Sequence, residues 1–366
     1  MKGIVAATLI LACSASSEVL FSDNFDNTPD WTSGMRDGDD VAIPRGWNDA
    51  YDGASMYPAS EGGRDSLEIL AEHSDKARGN TGKSLVAYRE SYTPPSGWAQ
   101  FNSDGILAKH IEGKPTQLYV EFWLRFGDTF TMPGGGYSKL FRIKHSSDPA
   151  NPWQNFLQGG NGPSLIWMYS NGEEYGQRNM IALRGDPVQD DEGKSYYYLN
   201  SSDIPDAHRR SHRGDFSFNF ANNLKGEGVN NQDPLLVDQL NGGLILDDPD
   251  EIVTHEQVFG KRGTWNKIAF FVKMNSAPGA TDGVLMQWLN DTLILNMQTI
   301  PWHRFNDEIE GMPYWNKVLF GGNDYYQTYP NEQRFEDWYA FDDVVIRSSI
   351  PTQPLAPTNF QVEALQ

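Results

Sequence analysis

The segment SKLFRIKHSS, residues 138–147, sets Arg142, Lys144 and His145 close together in a chain whose formal net charge is −20. A guanidinium or an ammonium holds a carboxylate, and an imidazole moves protons near neutral pH. Together the three groups suit an anionic ligand that undergoes proton transfer. In an extended strand alternate residues share a face. Arg142 and Lys144 therefore fall on one side, and Ile143 and His145 on the other, with His145 at the strand end, where a bulge can re-aim it. The competing reading is a strand with a solvated edge and a structural histidine. The preceding strand-like run, VEFWLRF, puts Val120, Phe122, Leu124 and Phe126 on an apolar face and leaves Glu121, Trp123 and Arg125 on the other. A charged pair flanking an aromatic is the composition of a cleft, or else of the outer side of a two-faced sheet.

Three further groupings bear on chemistry. The stretch DAHRRSHRGDF packs Arg209, Arg210 and Arg213 with His208 and His212, a density of positive charge that favours a visiting polyanion. Asp203, Asp206 and Asp215 nearby offer internal neutralisation instead. Asp23, Asp26, Asp342 and Asp343 supply the hard oxygens that calcium prefers, which suggests a structural calcium joining the terminal strands. Trp123, Trp153, Trp167 and Tyr169 are candidates for stacking on sugar faces. A glycosidase needs two carboxylates flanking the scissile bond. No acidic triplet of the ExDxxE kind occurs, and Glu336 and Asp342 stand at opposite ends of one strand.

The elements that must position these residues read as strands. Aromatic residues make up 13% of the sequence, helical periodicity is scarce, and Gly, Asn, Asp and Pro punctuate it throughout, as in an all-β chain with long loops. Strands are expected at 117–126, 138–145, 164–170, 180–185, 265–275, 283–300 and 316–322, the long one broken by a hairpin turn at Asn290-Asp291. An opening strand in EVLFSDNFDNTPDW and a closing one in EDWYAFDDVVIRSS frame residues 18–348, and a Pro-rich tail covers 349–366. The polar excursion from about 186 to 262 is too long for an ordinary loop and reads as a lid or cleft wall.

Residues 1–17, MKGIVAATLILACSASS, have the basic start, short apolar run and small residues of a bacterial export signal, too short to span a membrane. Cys13, the only cysteine, rules out an internal disulfide. It stands where a lipoprotein signal would carry its lipidated cysteine, and cleavage after Ala15 is the other outcome. The protein is thus expected to be exported: secreted, periplasmic or an outer-membrane lipoprotein, touching membrane only through an anchor at Cys13. A pI near 4.6 argues against nucleic acid as a partner.

YVEFWLRFGDTFTMP followed by SKLFRIKH resembles the heparin lyase and glucuronan lyase type of concanavalin A-like polysaccharide lyases. GTWNKIAFFVKMNSAPGATDGVLMQWLND is similar to that family's G-W-N strand, DG turn and W-x-N hairpin. The resemblance implies a two-sheet concanavalin A-like β-jelly roll with long loop excursions, acting as a monomer on an acidic, uronate-containing polysaccharide by β-elimination, with no cofactor in the chemistry. It further implies His145 as base, and Tyr325 or Tyr326 as the acid that protonates the leaving oxygen. Arg142 and Arg125 would neutralise the substrate carboxylate; the strand faces, the aromatics and the basic cluster read above add Glu121, Trp123, Lys144, Trp167, Arg209, Arg210 and Arg213 as further substrate contacts. One departure is plain: where the family's late Lys-x-Gly-x-Tyr strand falls in VLFGGNDYY, Phe320 and Gly321 occupy the lysine's place and Lys317 comes earlier. The alternative is a non-catalytic carbohydrate-binding or lectin-like jelly roll, and a glycoside hydrolase on the same fold ranks third.

Overall fold

The computed structural model describes residues 17–34, 43–51, 65–88, 105–130, 137–150, 163–172, 176–184, 187–189, 195–197, 216–219, 254–278, 280, 282–300, 302–303, 312–322 and 336–351. Cys13, Trp153, Arg209, Arg210, Arg213, Tyr325, Tyr326 and the tail from 352 lie outside the described residues.

In chain order the strands are β1 (Val19–Asp23), β2 (Trp31–Thr32), β3 (Asp49–Tyr51), β4 (Leu67–Ile69), β5 (Leu85–Tyr88) and β6 (Gly105–His110). They continue with β7 (Gln117–Phe126), β8 (Tyr137–Lys144), β9 (Ser164–Gly172), β10 (Gly176–Arg184), β11 (Pro187–Gln189) and β12 (Ser195–Tyr197). The last six are β13 (Phe216–Asn219), β14 (Asn266–Lys273), β15 (Gly283–Leu289), β16 (Thr292–Ile300), β17 (Lys317–Gly322) and β18 (Trp338–Arg347). Among the described residues, the longer helical stretches are 3-10 turns between Ala71 and Asn80 and α1 (His255–Phe259), which opens on a capping box between Thr254 and Gln257. None of the described helices is long and apolar enough to cross a membrane.

Two antiparallel sheets form a β-jelly roll. One is ordered β16-β15-β14-β7-β18-β5-β4-β2, with β1 alongside β18, and the other β13-β10-β9-β8-β17-β6-β3. The expected strand at 117–126 is β7 residue for residue, and Asn290 and Asp291 turn β15 into β16 with φ of 47° and 66°. The first and last strands do pair, but not at an edge. β5 pairs with Trp338–Phe341 and β1 with Val344–Arg347, so the two share one flank of β18 while β7 takes the other. A register shift between Asp342 and Val345, with Asp343 at φ 44°, marks the handover.

Alternation decides what lies between the sheets. Phe122 of β7 meets Phe341 of β18 at 5.6 Å and, across the sandwich, Phe141 of β8 at 4.9 Å and Phe320 of β17 at 5.3 Å. Rings at these separations bury large apolar areas in tilted and edge-on contacts. A buried polar bridge also ties the sheets: Trp167 Nε1 donates to Asn179 Oδ1 at 2.8 Å, and Asn179 Nδ2 donates to Gln287 Oε1 at 2.7 Å. Such a bridge is tolerated in an apolar interior because its donors are satisfied.

Candidate functional site

The same alternation turns a second set of residues to the outer face of the seven-stranded sheet. Phe141 and Ile143 enter the core, so Arg142 and Lys144 project the other way. In β17 Val318 and Phe320 point inward, while Leu319 clusters with Ile106 and Ala108 of β6 on the opposite side. Directly opposed residues share a face. Lys317 stands opposite both His110 and Lys144, Lys144 opposite Ser164, and Arg142 opposite Leu319. His110, Lys317, Lys144 and Ser164 therefore form one row across four strands, with Arg142 two residues behind Lys144. Asp49 of β3 reaches the row, its Oδ2 3.8 Å from Lys317 Nζ.

The row is sealed from solvent: Arg142 is 3% exposed and Lys144 and Lys317 are 0%. Burial disfavours a charged ammonium, and it lowers the Lys317 pKa to about 8, against the pull of Asp49 and Asp148. Lys317 Nζ donates to the Pro149 carbonyl at 2.9 Å. Burial first, and then the Lys317 cation, drives His110 down to about 4, so its imidazole is neutral at physiological pH. His110 Nε2 is a buried nitrogen without a hydrogen-bond partner among the described residues. The backbone of His110 is fixed by Asn48, whose Oδ1 accepts its N–H at 2.9 Å.

The sequence-derived candidates separate. Glu121, Trp123 and Arg125 lie on the outer face of the other sheet, across the core from Arg142, because β7 and β8 belong to different sheets. There they hold structure. The Arg78 guanidinium lies 4.0 Å from the Trp123 ring centroid, Arg125 donates to the Asp75 carbonyl at 2.8 Å, and Glu121 accepts from the Tyr119 hydroxyl at 2.9 Å. Trp167 is a core residue, fully buried and 5.1 Å from Phe259, so it offers no face to a sugar. His145 is 4% exposed. Its Nδ1 lies 3.0 Å from the Tyr314 carbonyl, and its ring packs edge-on against Tyr314 at 4.8 Å. The break in β8 register falls between Lys139 and Phe141, at the far end from His145. Sequence reasoning thus placed Arg142 and Lys144 together, while it missed His110 and Asp49 and set Lys317 aside.

Each of the four aspartates expected to hold calcium has a partner within the chain. Asp23 accepts from the Phe25 N–H and the Trp47 indole, Asp26 from the Lys83 N–H, and Asp342 from the Arg78 and Asp343 N–H groups. Asp343 pairs instead with the Arg78 side chain. Among the described residues no group of three or more His, Cys, Asp or Glu is arranged to hold a metal ion. Burial, with Asp26 and Asp23 close by, raises the Asp342 pKa to about 7 against the Arg78 N–H.

At the far end of the core, Tyr169 is sealed among Phe126, Phe130 and Phe259. Its hydroxyl accepts from Arg262 at 3.1 Å and lies 3.2 Å from His255 Nδ1. Burial, followed by Arg262, lowers His255 to about 3. This cluster, a neutral imidazole beside the Arg262 guanidinium, anchors the last residues of the excursion and faces the interior.

No protein-family model matches the chain, and no curated protein matches it significantly. Solved structures do resemble it. Alginate lyase Aly36B in complex with an alginate trisaccharide is 15% identical, over 91% of this chain and 98% of that one, with a TM-score of 0.45. An endo-β-1,4-glucuronan lyase from the fungus Trichoderma reesei is 9% identical, over 83% and 92%, with a TM-score of 0.44. Alginate lyase vAL-1 from Chlorella virus is 13% identical, over 82% and 93%, with a TM-score of 0.41.

Proposed function

We propose that the protein is an exported polysaccharide lyase that cleaves a uronate-containing chain by β-elimination. The observation that supports this reading is the row of cations, Lys317, Lys144 and Arg142, on one sheet face beside a neutral histidine in a strongly acidic chain. Cations at a uronate carboxylate withdraw charge and make the C5 proton more acidic. His110 Nε2 takes that proton; the electron pair forms the C4=C5 double bond and expels the glycosidic oxygen from C4. Tyr325 or Tyr326, three or four residues after the end of β17, protonates the leaving oxygen. An incoming carboxylate offsets the Lys317 field at His110 and raises its proton affinity toward the working range. His145, the base inferred from the sequence, acts instead as a positioning residue for Tyr314. The chemistry uses side chains alone, and the face must open for a chain to reach it.

The wider reading includes export directed by residues 1–17, with lipidation at Cys13 or free release, and a single chain as the working unit. The burial of the cations favours a second reading, a carbohydrate-binding jelly roll without turnover. Incubation with alginate, glucuronan, heparin and polygalacturonate, followed by ultraviolet absorbance of the unsaturated product, separates the two. The lyase gives rising absorbance with at least one polymer, and His110→Gln lowers the rate about 100-fold or more. Binding without absorbance in any polymer would leave the binding module.

A further inference from the structure

One cavity of about 580 Å³ opens beside His110, lined by His110, Lys109, Lys114, Glu112, Tyr314 and Asn316, among others. Its volume falls in the range of small-ligand sites, roughly 300–1,000 Å³. Two lysines against one glutamate make it locally basic within a chain of net charge −20.

The walls are held in place from behind. Asn316 Oδ1 accepts the Ser146 N–H at 2.8 Å and its Nδ2 donates to the Ser146 carbonyl at 2.7 Å, so the side chain clamps the chain leaving β8. The Asn316 carbonyl accepts the Ile111 N–H at 2.9 Å, joining the turn after β6 to the segment before β17. At the mouth, Gly113 and Lys114 adopt φ of 83° and 53°. The left-handed region is uncommon for a lysine and costs free energy. The Cβ that Gly113 lacks would meet nothing within 4 Å, so close packing does not dictate this turn. The result of the turn is that Lys114 Nζ stands 5.5 Å from the Tyr314 ring centroid.

An ammonium next to an aromatic ring matches a carboxylated pyranose, which offers an apolar ring face for stacking and a carboxylate for the cation. We propose that this cavity is a subsite for one uronate unit of the chain, with Lys114 meeting its carboxylate, Tyr314 its ring face, and His110 at the junction with the row. The proposal rests on the acidic-polysaccharide reading above and adds where the neighbouring sugar unit sits.

The test measures calorimetric binding of tetrasaccharides of mannuronate, glucuronate and galacturonate, with cellotetraose as the neutral probe. The variants are Lys114→Glu, Lys114→Gly and a charge-matched control, Lys273→Glu, at an exposed position of β14. Glycine relieves the left-handed strain at position 114 and removes the ammonium, so weaker binding by Lys114→Gly cannot be ascribed to unfolding. The expected result is about tenfold weaker binding of the preferred acidic tetrasaccharide by both Lys114 variants, a charge-assisted contact being worth about that much. Cellotetraose binding and Lys273→Glu should be unaffected. If wild-type protein binds or cleaves an acidic chain and the Lys114 variants match it, the subsite is wrong and the functional reading stands. If wild-type protein engages none of the acidic oligomers or polymers, both fall.

Discussion

Lys317 and Lys144 face each other directly across β17 and β8, and both are fully buried. Like charges in that position repel, so the pair persists because of what surrounds it, including the Pro149 carbonyl and Asp49.

The first expected outcome concerns alkaline pH. Folding lowers the Lys317 pKa from 10.5 to about 8. Between those values the folded state holds fewer protons than the unfolded one, so this group makes stability rise with pH from about 8 to 10.5. Below pH 8 the charged amine is a cost. Its full span is of the order of 3 kcal/mol. Urea unfolding of wild type and Lys317→Met between pH 7.5 and 10 should show that rise in wild type and its absence in the variant. Equal slopes would mean that Lys317 is not desolvated as described.

The second concerns the core. Phe122 joins rings from both sheets, and Phe122→Ala should cost about 3–5 kcal/mol of unfolding free energy. Chemical denaturation checks this; a loss below about 1 kcal/mol would mean that the cavity collapses or that the sheets pack differently.

A third outcome separates two histidines. His145→Ala removes a buried ring contact with Tyr314 and should lower stability by about 1–3 kcal/mol. In the lyase assay it should raise KM more than it lowers kcat, since Tyr314 lines the sugar subsite. His110→Gln should lower kcat with little change in melting temperature. The reverse pattern would return the base to His145.

The fourth concerns Trp123. Arg78→Ala removes the guanidinium from its ring and from Asp343. Contacts of this kind are worth about 0.5–2 kcal/mol. Faster amide exchange confined to residues 71–80 is expected; no change would show that Asp75 and Arg125 suffice to hold that segment.

Much of the fold was legible because alternation is a local property. β7, β14, β15, β16 and β17 follow from apolar periodicity and one Asn-Asp turn. Strand order is not local. Nothing in VEFWLRF or SKLFRIKH says that these consecutive strands enter opposite sheets, and for that reason Trp123 and Arg142, expected in one cleft, lie on opposite outer faces. The same blindness hid the row, since Lys317 comes beside Lys144 only through a pairing across more than 170 residues of sequence. Basic residues at the ends of two other strand-like runs, Lys109-His110 closing one and Lys317 opening the other, were the available signal. Burial was the remaining gap: Trp167 and His145 have the chemistry of site residues, and only packing shows where they spend it.

The seat of β18 between β7 and the β1–β5 flank has a consequence in time. Val19 finds Arg347, and the middle of the nine-stranded sheet is missing a strand until the last part of the chain has been made. Such long-range closure is intrinsically slow, and β7 and β5 have unfilled edges until it occurs. A ribosome-bound chain lacking residues 338–347 should therefore be protease-sensitive throughout its sheets, and the protein should acquire its resistance in one late step.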